Sequence, residues 1–184
     1  MSLKTQLRGI IAEIDAVLQE VSEKEVDQLV KAIMSADRVF VHSLGREGLV
    51  LKAFAMRLAH LGLKVHVVGD MTTPNITKSD LFIISTGPGN TPSVLTLAEI
   101  AKESGATVAL ITAHPEGKGG QIADIIVEVG GQTMAEDETA KSIQPMGSTH
   151  EQAELILLDC VILRLRDELG ETDITMAGRH TNLE

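Results

Sequence analysis

The chain of 184 residues contains no tryptophan or tyrosine and only three phenylalanines, so aromatic residues make up 2% of it. Proteins that bind single-stranded nucleic acid stack the bases on aromatic side chains, of which this chain has very few. Positive charge is also scarce, because 16 Lys and Arg residues stand against 26 Asp and Glu residues, for a formal net charge of −10. A phosphate backbone requires a basic surface on its partner. The composition therefore argues against a nucleic-acid partner.

Cysteine and long apolar runs are scarce as well. The single cysteine, Cys160, excludes an internal disulfide and a cysteine-based zinc site. It lies in the apolar run 155–165, and we expect it to be a buried small apolar residue. No apolar run approaches the roughly 18 residues of a membrane span, and the N-terminus has the pattern of an amphipathic helix, not of a signal peptide. We therefore expect no membrane partner and a cytoplasmic location.

Apolar residues, at 43% of the chain, occur in patterns typical of an α/β domain. Two helices are predicted first, over about 3–21 and 23–35. Five short apolar strands then alternate with helices, and they are predicted at 38–42, 64–68, 81–85, 107–112 and 125–129. This alternation indicates a three-layer sandwich with a five-stranded parallel sheet, doubly wound as in flavodoxin. We expect one domain, with an N-terminal helical arm (1–36), a core (37–169) and a tail (170–184).

The last predicted helix, 148–169, carries apolar residues nearly all round. A helix of this kind is buried on more than one side. A single chain this short has enough apolar surface to cover little more than one side of this helix. We therefore expect a second subunit to cover the other side, in a homo-oligomer that is either a dimer or a tetramer.

Two glycine-containing loops each follow a predicted strand and open a helix, at 42–48 and 85–91. Such turns direct backbone N–H groups and the positive end of a helix at one point, where a phosphate commonly binds. Neither loop has the spacing of a dinucleotide fingerprint or a Walker loop, so we expect a phosphorylated small molecule at the carboxyl edge of the sheet. The candidate binding residues are Ser43, Gly45, Arg46, Glu47, Ser85, Thr86, Gly87, Gly89, Asn90 and Thr91.

The same residues also have structural interpretations. Gly45 is suited to a tight turn without any ligand. Asn90 or Thr91 is suited to capping the helix that follows. Arg46 is the one cation of the first loop, and it can pair with a phosphate or with sugar hydroxyls, or remain a surface charge. Helix capping and phosphate binding use the same geometry, so these interpretations are compatible.

Three separated segments resemble the SIS (sugar isomerase) domain family, and within it the 6-phospho-3-hexuloisomerases. Residues 45–62 resemble the family pattern G-R-S-G-L-V-x-K-A-F-A-M-R-L-x-H-L-G. Residues 145–151 resemble P-[LM]-G-T-x-F-E, and residues 176–184 resemble M-x-x-R-H-A-N-L-E. The resemblance implies an isomerase that interconverts 3-hexulose 6-phosphate and fructose 6-phosphate through a cis-enediol, as a tetramer and without a metal or another cofactor.

The resemblance also implies residue roles. Moving a carbonyl from C3 to C2 requires a base for the C2 proton and acid–base help at the two oxygens. Glu151 is the candidate base, although an acidic residue is also favourable in a first helical turn for structural reasons. His180 is the candidate for proton transfer, in a neighbouring subunit's site, unless the tail is simply disordered. Thr72 and Thr73 resemble a threonine-rich loop that lines the pocket.

The chain departs from the family pattern where the phosphate is expected. Glu47 stands in place of a serine, and a carboxylate repels a phosphate. The second loop is S-T-G-P-G-N-T where the family usually has S-G-S-G-E-T, so Gly87 or Pro88 replaces its second serine. These departures leave other functions open: an isomerase of another phosphosugar, a non-catalytic sugar-phosphate-binding module, or an isomerase or lyase of a non-phosphorylated sugar.

Overall fold

The computed structural model describes residues 1–134 and 141–183. Its described strands form one parallel sheet in the order β2-β1-β3-β4-β5. They are β1 (Val39–His42), β2 (Val65–Val67), β3 (Leu81–Ser85), β4 (Thr107–Thr112) and β5 (Ile125–Glu128). This is the strand order of a doubly wound, flavodoxin-like domain, so the predicted fold class is confirmed.

Helices cover both faces of the sheet. The larger core cluster lies on the face covered by α1 (Leu3–Gln19), α2 (Glu23–Ser35), α3 (Gly45–His60) and α6 (Ser148–Leu169). The smaller cluster lies under α4 (Pro92–Glu103) and α5 (Lys118–Ile122). Successive side chains of a strand point to opposite faces, so Val39 and Val41 enter the first cluster and Phe40 enters the second. A short helix in the tail, α7 (Asp173–Ala177), was not predicted.

The two N-terminal helices pack on their own chain. α2 buries Val26, Leu29, Val30 and Ile33 in the larger core cluster. α1 packs against α6 and leaves Leu3, Leu7 and Ile11 at least half exposed. Among the described residues, no helix combines the length and the apolar character that crossing a membrane requires.

The last helix, α6, is buried along one side only. Its inner side enters the core through residues that include Ala153, Leu158 and Val161. Its outer side exposes Cys160 together with Leu155, Ile156 and Leu163. The prediction that Cys160 is buried is therefore wrong for the single chain, because this residue faces away from the sheet. The expected homo-oligomer stays a prediction, and this outer side is a surface on which a second subunit would pack.

The winding direction of the chain reverses between the adjacent strands β1 and β3. β1 continues into α3 on one face of the sheet, and β3 continues into α4 on the other. A crevice forms where neighbouring parallel strands diverge in this way, beyond their carboxyl ends. His42 at the end of β1 is in register with Ile84 near the end of β3. The two glycine-containing loops therefore lie side by side at this crevice.

Candidate active site

The first loop turns tightly into α3. Gly45 has a φ of +57°, a conformation that glycine adopts without strain. A Cβ on Gly48 would lie 2.7 Å from the backbone oxygen of Ser43, so the first turn of the helix passes directly over the loop. This close approach brings Arg46 and Glu47, both in that first turn, to the crevice.

The Glu47 carboxylate lies in the gap between the two loops. The Gly87 backbone N–H donates to it, with both carboxylate oxygens 3.1 Å from the nitrogen. The Ser85 hydroxyl also donates to it, at 3.1 Å. Ser43 ties the loops together by donating to the Ser85 carbonyl at 2.7 Å. We call Ser43, Ser85 and the Gly87 N–H the anion site, and in this structure the Glu47 carboxylate accepts from the Ser85 hydroxyl and the Gly87 N–H.

The remaining polar residues of the second loop hold the loop in shape. The Thr86 and Thr91 hydroxyls are hydrogen-bonded to each other at 2.7 Å, and Thr91 makes no side-chain cap bond to α4. Asn90 Oδ1 accepts from the Lys118 backbone N–H at 2.8 Å. Asn90 therefore caps a helix, as one interpretation expected, but that helix is α5. Gly89 has a φ of +71°, and a Cβ there would lie 2.6 Å from a backbone oxygen.

Glu151 lies in the first turn of α6 and pairs with Arg46 across the crevice. Arg46 Nη1 donates to Glu151 Oε2 at 2.7 Å and to Ser148 Oγ at 3.0 Å. The Glu151 side chain is 15% exposed, whereas that of Arg46 is 51% exposed. An ion pair with one exposed partner contributes little to stability. Its main consequence is positional, because it holds the candidate base at the edge of the anion site.

Beside Glu47, α6 buries two further polar side chains that the sequence analysis did not select. His150 and Glu154 are four residues apart, so they share one face of the helix, and both are 0% exposed. The His150 Nδ1 atom is 2.8 Å from the Val129 carbonyl oxygen. Burial, reinforced by the Glu47 carboxylate, raises the pKa of Glu154 well above its usual value. The signal available in the sequence was a His-x-x-x-Glu spacing directly before the apolar run 155–165.

The structure does not bring His180 to Glu151 within one chain. The His180 ring stacks on that of His60, with centroids 5.2 Å apart, at the far end of the 16-residue helix α3. A helix of that length spans roughly 24 Å. Arg179 holds the tail there by donating to the His60 carbonyl at 2.9 Å and to both Glu171 carboxylate oxygens at 2.8 Å. The contribution of His180 to a neighbouring subunit stays a prediction.

Thr72 and Thr73 lie beyond the end of β2, the strand at one edge of the sheet. The Thr73 hydroxyl is within hydrogen-bond distance of the Val67 and Asp70 carbonyl oxygens, at 2.9 and 2.8 Å. Both threonines line a cavity of about 320 Å³, which also contacts Lys52. That they line a substrate pocket stays a prediction.

A second cavity, of about 280 Å³, lies next to the first loop and is lined by His42, Ser43 and Lys52 among others. Burial lowers the pKa of His42, and the positive charge of Lys52 lowers it further. The hydrogen bond to the Val68 backbone raises this pKa but does not offset the other two effects. Neither His42 nor Lys52 was selected from the sequence as a binding residue. Lys52 matches the lysine of the family pattern, and His42 is the first residue of the first loop, so both had a signal.

The fold and this crevice define a flavodoxin-like α/β domain with two glycine-containing loops at the switch point of its sheet. The chain belongs to the SIS domain family, whose domain matches residues 32–153. It is 40% identical over 176 residues to the 3-hexulose-6-phosphate isomerase of Bacillus subtilis (strain 168), covering 95% of each chain. It is 37% identical to the 3-hexulose-6-phosphate isomerase of Mycobacterium gastri, over 94% of this chain and 86% of that one.

A solved structure from Methanococcus jannaschii, described as inferring a molecular function of 3-hexulose-6-phosphate isomerase, has the same fold. It superposes with a TM-score of 0.85 at 32% identity, covering 98% of this chain and 99% of the other. The resemblance identified from the sequence is confirmed.

Proposed function

We propose that this chain is a phosphosugar isomerase that interconverts 3-hexulose 6-phosphate and fructose 6-phosphate, an intramolecular redox reaction of a sugar. The observation that carries the proposal is the Glu151 carboxylate, held by Arg46 at 2.7 Å beside the anion site. The relatives that bear the name 3-hexulose-6-phosphate isomerase cover nearly the whole chain and support the same reaction.

Glu151 acts as the base in the proposed reaction. Its carboxylate takes the proton from C2, the electron pair forms the C2–C3 double bond, and the C3 oxygen gains a proton to give the cis-enediol. The C2 hydroxyl then loses its proton as the C2 carbonyl forms, and Glu151 returns a proton to C3. Arg46 is always charged and keeps the carboxylate in place through both transfers.

The proton transfers at the two oxygens are assigned to His180 of a neighbouring subunit. Within one chain His180 lies at the far end of α3, so this role requires an oligomer. The exposed apolar residues on the outer side of α6 and on α1 offer surface for such an assembly. We propose a dimer or a tetramer. Size-exclusion chromatography coupled to light scattering gives the mass of the assembly and distinguishes both from a monomer.

A second candidate is a sugar-phosphate-binding module without catalysis. It is favoured by one observation, namely that the Glu47 carboxylate takes the Gly87 N–H and the Ser85 hydroxyl. Such a module binds fructose 6-phosphate without converting it.

The test is a coupled assay in which 3-hexulose 6-phosphate is supplied and fructose 6-phosphate is followed. Glu151→Gln keeps the shape of the side chain and removes the base, so we expect a loss of kcat on the order of 10²- to 10⁴-fold. Glu168→Gln, an exposed carboxylate near the end of the same helix, serves as the matched control and should retain full activity.

A folded wild-type protein without turnover would contradict the isomerase proposal. If fructose 6-phosphate then still raised its melting temperature, the result would favour the sensing module. Equal activity in Glu151→Gln and wild type would instead remove Glu151 from the mechanism.

A further inference from the structure

Glu47, His150 and Glu154 converge on one point beneath the crevice. Each offers one ligand atom, an imidazole nitrogen or a carboxylate oxygen, and these atoms all lie within 4.8 Å of one another. His150 and Glu154 are 0% exposed, while Glu47 is half-buried and lies on the side of the crevice. We call these three side chains the HEE cluster.

The buried members of the HEE cluster have polar atoms that nothing in the described part of the chain satisfies. His150 Nε2 and both Glu154 carboxylate oxygens are buried and have no hydrogen-bond partner there, because the Ser85 hydroxyl, which also acts on Glu154, donates to Glu47. Unpartnered buried polar atoms are rare in folded proteins and require an explanation, such as an ion. Two carboxylates and an imidazole nitrogen around one point are a donor set for a cation.

The surroundings of the HEE cluster resemble the outer shell of a metal site. A carbonyl oxygen only accepts, so the 2.8 Å contact to Val129 places a proton on Nδ1, and Nε2 is the nitrogen with which the neutral ring would bind a metal. Glu47 is likewise oriented by the Ser85 hydroxyl and the Gly87 N–H. Hydrogen bonds of this type fix the direction in which a ligand atom points.

We propose that Glu47, His150 and Glu154 bind a divalent first-row metal ion, of the Zn²⁺ or Mn²⁺ type. Imidazole favours zinc and its neighbours, and carboxylates suit manganese, so the mixed set selects for these ions over Mg²⁺ or Ca²⁺. The family pattern has a serine at position 47 and a phenylalanine at position 150, so it lacks two of the three proposed ligands. That the pattern implies a reaction without a metal therefore does not argue against a metal site in this chain. The site stands on its own residues and does not depend on the proposed reaction.

The test is titration calorimetry on the full-length protein after treatment with EDTA and removal of the chelator, with Zn²⁺ and Mn²⁺ as separate probes. We expect one ion bound per chain. Glu154→Gln and His150→Phe each remove a ligand and should weaken binding on the order of 100-fold or more. Asp159→Asn, an exposed carboxylate on the same helix, is the matched control and should bind as the wild type does. Circular dichroism checks that each variant is folded.

A second measurement uses the wild type alone, and so does not depend on the variants folding. Co²⁺ bound at the HEE cluster would shift the NMR signals of one of the six histidine rings, that of His150, far outside the normal range. The proposal is overturned if neither Zn²⁺ nor Mn²⁺ binds. It is also overturned if the two ligand variants bind like wild type, or if Co²⁺ leaves the His150 signals in place.

Discussion

Replacing Glu47 with serine should tighten the binding of inorganic phosphate to the metal-depleted protein. In the wild type the Glu47 carboxylate accepts from the Gly87 N–H and the Ser85 hydroxyl. A phosphate that uses these donors must displace the carboxylate and then remain near its charge. Serine removes the charge, opens the space and adds a hydroxyl donor.

The magnitude follows from the distance between the two anions. A side chain displaced from the anion site stays attached to α3, so its charge remains several ångströms from the phosphate. Two unit charges about 4 Å apart repel by about 1 kcal/mol in water and by about 4 kcal/mol near a protein surface. Glu47 is half-buried, so the relief lies between these limits. This corresponds to roughly 5- to 1000-fold tighter binding.

The assay is calorimetric titration of phosphate into the wild type and three variants. Glu47→Gln removes the charge but keeps a group that accepts from the Gly87 N–H, so we expect a smaller gain than for Glu47→Ser. Glu99→Gln removes an exposed carboxylate on α4 and should change nothing. If Glu47→Ser bound phosphate no more tightly than the wild type, the assignment of Ser43, Ser85 and the Gly87 N–H as an anion site would be refuted.

Three further predictions concern the surroundings of the site. Arg46→Met removes the partner of Glu151 and should lower the isomerase kcat on the order of 10- to 100-fold with the fold intact by circular dichroism; an unchanged kcat would remove its positioning role. The pKa of Glu171 is lowered from 4.5 to about 2, and the hydrogen bond from the Arg179 guanidinium is the largest cause of this shift. The stabilisation that follows from this shift is present above pH 4.5 and is lost as the pH falls through about 2. In Arg179→Gln, NMR should show Glu171 titrating near its ordinary pKa, and an unshifted midpoint would contradict the pairing. Gly48→Ala should destabilise the fold by roughly 1–3 kcal/mol in urea, because the clash with the first loop outweighs the gain in helix propensity; a stabilised variant would show that the loop moves freely.

The sequence predicted the fold well because its signals are local. β3 and β4 begin and end at the predicted residues, and α6 spans 148–169 as expected. Each strand is a short apolar run between turns, and each helix has a periodic apolar side, so the elements depend little on distant contacts. The pair of loops at the switch point follows from the order of the elements and the doubly wound topology.

The features that the sequence did not predict depend on the direction in which a side chain points and on contacts between residues far apart in the chain. Residue type and helical position do not reveal that Glu47 points into the anion site instead of away from it. Cys160 lies in an apolar run, yet its side of α6 faces outward in the single chain. His180 and Glu151 belong to separate segments of the family pattern, and only the folded chain shows that His180 stacks on His60. Contacts of this kind join residues far apart in the chain, so no local pattern predicts them.

The departures from the family pattern are coupled in space. Considered one at a time, Glu47 and the altered second loop would each only weaken phosphate binding. In the structure, a Cβ at position 87 would lie 2.9 Å from His150 Cδ2 and 3.0 Å from Glu47 Oε1. A side chain at position 87 would therefore press on both, and glycine leaves room for the His150 ring and the Glu47 carboxylate. The three positions therefore form one connected group at the crevice, and a change at any one of them bears on the space and the charge at the other two.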